Sequence, residues 1–406
     1  MSGEHGVLLV GGYAGLKSHS MVLFADSLAG ALRARGIAVR QLDPPVVLGR
    51  VGGRRLRKWL AHVDRLVIFP LLLAAVARRY PLIHLCDHSF AFYSALLPGK
   101  RVVITCHDLI GLRRADGGYA EESASVTGRL LQAVVRARLR AAPHLVCVSE
   151  ATRADLLASL DIPDARVRVV HNGLNRPYAP MSAAESDHAL EHAAPQHGTA
   201  AQTPGGLRAL TQAPYLLHVG SGAWRKNRAG VVDIFAELRA RAPERAESLL
   251  MVGDPPDADL RARIDCLGLA PRVYFITGVG HTALRALYCR ARWLLFPSFY
   301  EGFGWPVIEA QACGCPVLTS KCPPLPEVAG EAAVFVDPDD VADAAASLLA
   351  IWPQRDRLIA AGFENAKRFS MAKMAEGYAA AYAQAMVGAD ASAPAATLPP
   401  HPDATP

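Results

Sequence analysis

Glu301 and Glu309 flank a loop of glycine and aromatic residues in the segment EGFGWPVIE at 301–309. Ionised carboxylates accept hydrogen bonds from vicinal hydroxyls, each worth about 1.5–3 kcal/mol when desolvated, so the pair suits a sugar ring and a ribose. Two solvated glutamates beside a turn are the ordinary meaning of such a spacing, and the glycine–aromatic loop between them argues against it. A second group is HVGSGAWRKN at 218–227. A strand, a glycine turn and a helix cradle phosphate at the helix N-terminus. Gly220 and Gly222 match the first two glycines of a dinucleotide fingerprint, but Arg225 stands where the third would be. Arg225 and Lys226 offer two cations to a pyrophosphate, which suits a leaving nucleoside diphosphate. A third group is CHDLIGL at 106–112, where His107 and Asp108 follow a short apolar run. A neutral imidazole there could donate to a sugar hydroxyl or position a phosphate, although a His-Asp pair in that place is also an ordinary capping arrangement. Gly11, Gly12 and Gly15, in GGYAGLKSHS at 11–20, would let backbone approach a diphosphate.

Other constellations carry less. His84 and His88 have a spacing that faces one side of a helix, but 82–85 reads as a strand, which removes the zinc geometry. Asp337-Pro338-Asp339 formally matches an acidic metal–nucleotide motif, yet it sits in a proline turn and reads as a helix-capping loop. Cys313, Cys315 and Cys322 lack paired zinc-ligand spacing. No metal and no cofactor is therefore expected. The nucleophile elbow of hydrolases and the phosphate loop of kinases are both absent from the sequence.

These groups need elements to hold them. Val7–Val10, 37–42, 82–85, 102–105 and 145–148 are apolar runs that predict buried strands. Between the first two, Phe24, Leu28 and Leu32 share one face of a predicted helix that stops at Gly36. A second set of strands is predicted at 215–219, 248–252, 273–276, 293–296 and 317–320. Strands alternating with helices predict parallel, doubly wound α/β sheets, with ligands outside the carboxyl ends of the strands. The expected division is an N-terminal Rossmann-like domain over 1–176 and a linker with a mobile insertion over 177–213. A second Rossmann-like domain follows over 214–368. A C-terminal helix over 369–386 packs back on the first domain, and a disordered tail covers 387–406.

Apolar residues make up 51% of the 406-residue chain and charged residues 20%, as two well-buried α/β domains require. The net charge of +6 fits anionic ligands and does not suggest a nucleic-acid binder. Eight scattered cysteines, mostly in apolar runs, read as reduced thiols of a cytoplasmic protein. The apolar run 66–77 is shorter than the ~20 residues of a membrane span and contains Pro70, so no span is expected. Arg50, Arg54, Arg55, Arg57 and Lys58 precede Trp59 and this run, and a basic segment beside apolar residues can rest on anionic lipid. The 50–60 segment is thus a candidate peripheral contact at the inner face of a membrane.

With these pieces together the chain resembles glycosyltransferase family 4, whose members have the GT-B architecture, need no metal and retain anomeric configuration. FPSFYEGFGWPVIEAQACGCPVLTS at 296–320 carries the likeness most specifically, and LPEVAGEAAVFVDPDD at 325–340 is similar to the segment that follows it. VGSGAWRKN, CHDL, VSEATRADL at 148–156 and VVHNGLN at 169–175 also resemble family segments, the first in a form frequent among mannosyl- and rhamnosyltransferase-like members. The resemblance implies two Rossmann-like domains facing a central cleft. It implies that Glu301, Phe303 and Gly304 hold the donor sugar, Glu309 the ribose, and Arg225 and Lys226 the diphosphate. His107 would lie beside the donor sugar and Val279 near the base. The first glycine turn departs from the family's commoner form, which leaves the acceptor side less determined.

The expected activity is transfer of a hexose, with retention, from a nucleoside-diphosphate sugar to a saccharide or lipid-linked acceptor in cell-surface glycan biosynthesis. An epimerase or phosphorylase on the same scaffold, or a non-catalytic nucleotide-sugar binder, would share the donor site. Arg225 disfavours a nicotinamide oxidoreductase.

Overall fold

The computed structural model describes residues 6–13, 19–50, 53–118, 125–193, 197–198 and 206–387. The chain divides into two compact units, one of Met1–Asn175 with Ser370–Pro406 and the other of Arg176–Phe369. Each unit has its own sheet, whose central strands are apolar on both faces and must be covered twice.

In the first unit six strands run in the order β2-β1-β3-β4-β5-β6, all parallel. They are β1 (Val7–Val10), β2 (Val39–Leu42), β3 (Leu82–Leu85), β4 (Arg101–Cys106), β5 (His144–Cys147) and β6 (Val167–Val169). The chain order reverses between β1 and β3, so the turn at Gly11–Tyr13 leaves the sheet at a topological switch point. The helix His19–Ala34 buries Phe24, Leu28 and Leu32. The final helix, Met371–Val387, belongs to this unit. Its Tyr382 hydroxyl meets His84 Nδ1 at 2.8 Å, and Thr105 Oγ1 meets His84 Nε2 at 2.7 Å and the Tyr378 hydroxyl at 2.9 Å. Both ring nitrogens of His84 are thereby engaged within the protein, and burial pulls its pKa down to about 3.

In the second unit the order is β13-β12-β11-β8-β9-β10-β7. The parallel strands are β8 (Tyr215–Gly220), β9 (Ser248–Gly253), β10 (Val273–Thr277), β11 (Trp293–Phe296), β12 (Val317–Ser320) and β13 (Ala333–Val336). The two-residue β7 (His197–Gly198) pairs antiparallel at the edge, on β10. The reversal here falls between β8 and β11. The turn after β8 and the loop after β11 therefore emerge side by side.

Two expectations need correction. The segment from 179 to 213 lacks periodicity, yet Ala183–Glu191 is a helix. Ser182 and Glu185 form a capping box, Leu190 is buried, and Asp187 pairs with Arg290. The Arg285 guanidinium also donates to the carbonyls of Ala179 and Pro180 at 2.7 and 2.9 Å, tying down the entry to this helix. Nor does Pro70 interrupt the apolar run. Helices Arg54–Val63 and Phe69–Ala77 are joined through a π-helical turn at Asp64–Ile68, and Pro70 directly follows that wider turn without breaking the helix. The stretch Trp59–Ala77 is consequently 19 helical residues of mean hydropathy 1.8, enough by length and composition to cross a membrane. Phe69, Leu73 and Ala77 pack inward, whereas Trp59, Leu66, Val67 and Leu71 are exposed.

Candidate active site

The turn after β8 is a single 3-10 turn, Trp224–Lys226, ending on Asn227 in the left-handed region at φ +50°. Asn227 tolerates that conformation better than most residues and caps the helix Arg228–Arg241 by accepting from Gly230 N–H at 3.1 Å. Its amide also donates to the carbonyls of Pro297 at 3.1 Å and Pro338 at 3.0 Å. One buried side chain thus fastens the basic turn to the loops that follow β11 and β13.

The loop after β11 is clamped from β12, where Thr319 Oγ1 donates to Phe296 O at 2.9 Å and Ser320 Oγ to Ser298 O at 2.6 Å. Phe299 N–H donates to Arg225 O at 2.8 Å, which joins the loop to the basic turn. Glu301 is delivered between the two cations. Its Oε1 lies 2.5 Å from Lys226 Nζ and its Oε2 3.3 Å from Arg225 Nη1. Lys226 also sits over the Phe296 ring, 5.0 Å from its centre. Burial lowers the Lys226 pKa, and the Glu301 charge opposes that shift. The cluster is one buried carboxylate between two cations, so it carries net positive charge facing the end of β8.

His218, on β8, lies beneath this turn. Its Nδ1 donates to Leu295 O at 2.9 Å, so Nε2 carries the lone pair. Burial holds the ring neutral, with its pKa pulled down to about 4. Nε2 lies where a side chain at Gly220 would begin, 2.9 Å from an ideal Cβ. Gly220 is required by that packing.

After Phe303, which is buried against Trp305 and Phe369, Gly304 adopts φ +103° and starts the helix Trp305–Ala312. A Cβ at Gly304 would come within 2.7 Å of Leu325, so both conformation and space demand glycine. Pro306 lies in the first turn of the helix, and Glu309 follows one turn in, only 7% exposed. Its Oε2 accepts from the Tyr288 hydroxyl at 3.0 Å. Burial pushes its pKa up to about 7, against hydrogen bonds from Tyr288 and Tyr178 and the charge of Lys226. Glu301 and Glu309 therefore have different surroundings, one paired with cations and the other with phenols. Val279 lies in the half-buried loop after β10.

In the first unit His107 follows β4. Its Nε2 donates to Cys86 O at 2.8 Å and its ring meets the edge of Phe24 at 4.6 Å, so the ring is fixed and burial lowers its pKa. Asp108 Oδ1 accepts from Ile110 N–H at 3.0 Å, a local turn just before the N-cap residue Leu109. An ideal Cβ at Gly11 would overlap the Asp43 carboxylate, and one at Gly12 would press on Val22, so both glycines sit in close packing. Gly15 lies outside the described residues. Asp337 accepts from Asp339 N–H at 3.0 Å and Asp340 caps the next helix, so the segment forms a helix-capping turn. No cluster of three metal-ligating side chains occurs among the described residues.

Residues 17–176 match the family described as Glycosyltransferase Family 4, and residues 213–353 match Glycosyl transferases group 1. Over 246 residues the chain is 28% identical to O-antigen chain mannosyltransferase B of Escherichia coli, covering 60% of this chain and 61% of that one. It is 35% identical over 164 residues to D-inositol 3-phosphate glycosyltransferase of Rhodococcus jostii, covering 37% and 36%. The matched region thus spans from about a third to three fifths of these relatives' lengths. Among solved structures, sucrose-phosphate synthase of Thermosynechococcus elongatus superposes with a TM-score of 0.69 at 21% identity, over 94% of this chain and 99% of that one. Anabaena HepE in complex with UDP-glucose gives 0.68 at 15% identity, over 93% and 99%. These two structures share the fold. Residues 17–176 thus form a Glycosyltransferase Family 4 domain and residues 213–353 a Glycosyl transferases group 1 domain, and the chain has the GT-B fold.

Proposed function

We propose that the chain is a retaining hexosyltransferase that uses a nucleoside-diphosphate sugar. The observation that carries this reading is the cluster at the second unit's switch point, where Glu301 stands between Lys226 and Arg225 at the ends of β8 and β11. The basic turn is the natural partner of a diphosphate, and Glu301 of the sugar hydroxyls. Glu309 takes the ribose, Phe303 and Gly304 border the sugar, and Val279 lies towards the base. His107, Gly11, Gly12 and Gly15 are the candidate donor-binding residues of the first unit.

In the reaction the bond between the anomeric carbon and the diphosphate oxygen breaks as negative charge moves towards Arg225 and Lys226. The acceptor oxygen bonds the same carbon from the same face, and its proton passes to the departing phosphate oxygen. The donor is a mannose-, rhamnose- or glucose-type nucleotide sugar; a mannosyltransferase relative supports the first and the UDP-glucose complex of a fold neighbour the last. The acceptor is a saccharide or a lipid-linked saccharide in cell-surface glycan synthesis. The reaction takes place in the cytoplasm at the inner face of a membrane, where the basic 50–60 segment and the exposed Trp59, Leu66 and Leu71 rest on lipid. Nuclear magnetic resonance of the product formed from UDP-glucose, GDP-mannose or another nucleotide hexose tests the central step. An axial donor should yield an axial linkage, and an inverted linkage would overturn the mechanism.

A further inference from the structure

Glu301 and Glu309 are both buried, but only Glu301 is neutralised by cations at close range. Glu309 meets two phenols instead. Tyr288, fully buried on the helix His281–Arg290, donates to Oε2 at 3.0 Å, and the Tyr178 hydroxyl is a second donor to the same carboxylate. The two rings support each other edge to face at 5.9 Å, and Tyr178 is buttressed by the edge of His281 at 4.7 Å. A carboxylate offers about four acceptor positions. Two phenols occupy two of them and leave two for further donors, the number that a vicinal diol supplies.

We propose that Tyr288 and Tyr178 are positioning residues that set Glu309 as an uncharged-donor acceptor for the ribose diol, so that donor affinity follows the ionisation of Glu309. This rests on the reading of Glu309 as the ribose holder. Neutral phenols orient the carboxylate without cancelling its charge, whereas a cation there would compete with the incoming hydroxyls. Burial leaves Glu309 titrating near neutrality, against the two phenols and the charge of Lys226. The groups that face it are Tyr288, Tyr178, Lys226 across the site, and Cys313 at the end of its own helix, whose raised pKa keeps the thiol neutral. His281, Arg176 and Arg285 lie behind, and burial and these two arginines keep His281 neutral.

The test is calorimetric binding of UDP-glucose and GDP-mannose, whose diphosphates do not titrate between pH 5.5 and 8.5. Affinity should rise through about pH 7 and level off above it. Tyr288→Phe should weaken binding about three- to tenfold at pH 7.5 and move the rising limb to higher pH, because it removes a donor that favours the carboxylate. Tyr178→Phe should act in the same direction and serves if Tyr288→Phe does not fold. Glu309→Gln should be weak and flat with pH. If Glu309→Gln binds as tightly as the unmodified protein, the ribose reading itself fails. If Glu309→Gln is weak and flat but neither phenylalanine variant moves the limb, the ribose reading stands and the positioning role of the tyrosines is overturned.

Discussion

At the scale of single residues, the two glutamates differ in environment, and their predicted behaviour differs accordingly. Glu301 sits between cations, so Glu301→Ala should lower turnover at least tenfold (about 1.4 kcal/mol of barrier) in a steady-state assay. Near-normal turnover would remove Glu301 from the mechanism. Glu309 should instead be visible in the pH dependence of stability. Its folded-state pKa of about 7 lies above the ordinary 4.5, so between these values the native state binds the extra proton. Stability should therefore fall as pH rises from about 4.5 to 7 and change no further through this group above that. Glu309→Gln should flatten that slope and be more stable than the unmodified protein at pH 8, by about 3 kcal/mol as an upper estimate in urea unfolding. An unchanged slope would show that Glu309 ionises at its ordinary value.

At the scale of elements, the site depends on how three loops are fastened. Asn227→Ala removes two donated hydrogen bonds and one cap, and it places alanine at φ +50°. A loss of about 2–4 kcal/mol in denaturant unfolding is expected, with Asn227→Gly losing less because glycine accepts the backbone conformation. Equal losses in the two variants would contradict the conformational part of that account. The strands were legible because parallel strands buried on both faces are continuous apolar runs, and β3, β11 and β12 end where the residue types change. β2 begins only at Val39, two residues later than its apolar run suggests. Glu301, Glu309, Arg225 and Lys226 were legible because each lies just beyond a strand or helix start with a local signature. Asn227 carries a cap signal that its basic neighbours mask in the sequence. Tyr288 and Tyr178 were not legible at all: a tyrosine on a buried helix face looks like core, and only the folded chain brings its hydroxyl to Glu309. The helix Ala183–Glu191 has a weak apolar face, and its capping box was the available signal.

At the scale of the whole molecule, two α/β units have separate cores, and each presents a glycine turn at its own switch point. The exposed apolar residues of 59–72 sit beside the basic segment, so binding to vesicles of anionic phospholipid is expected at low salt and should weaken as salt rises. Replacing Trp59 and Leu71 together by serine should reduce co-sedimentation with those vesicles while leaving donor binding unchanged; equal sedimentation would remove the lipid contact. The central claim is that the second unit's switch point holds a nucleotide sugar, and thermal unfolding with a panel of nucleotide hexoses tests it most directly. At least one donor should stabilise the protein, by about 2.7 kcal/mol at a hundredfold excess over its dissociation constant. Lys226→Ala and Glu309→Ala should lose most of that stabilisation. A protein stabilised by no nucleotide hexose, or stabilised equally in both variants, would contradict the account.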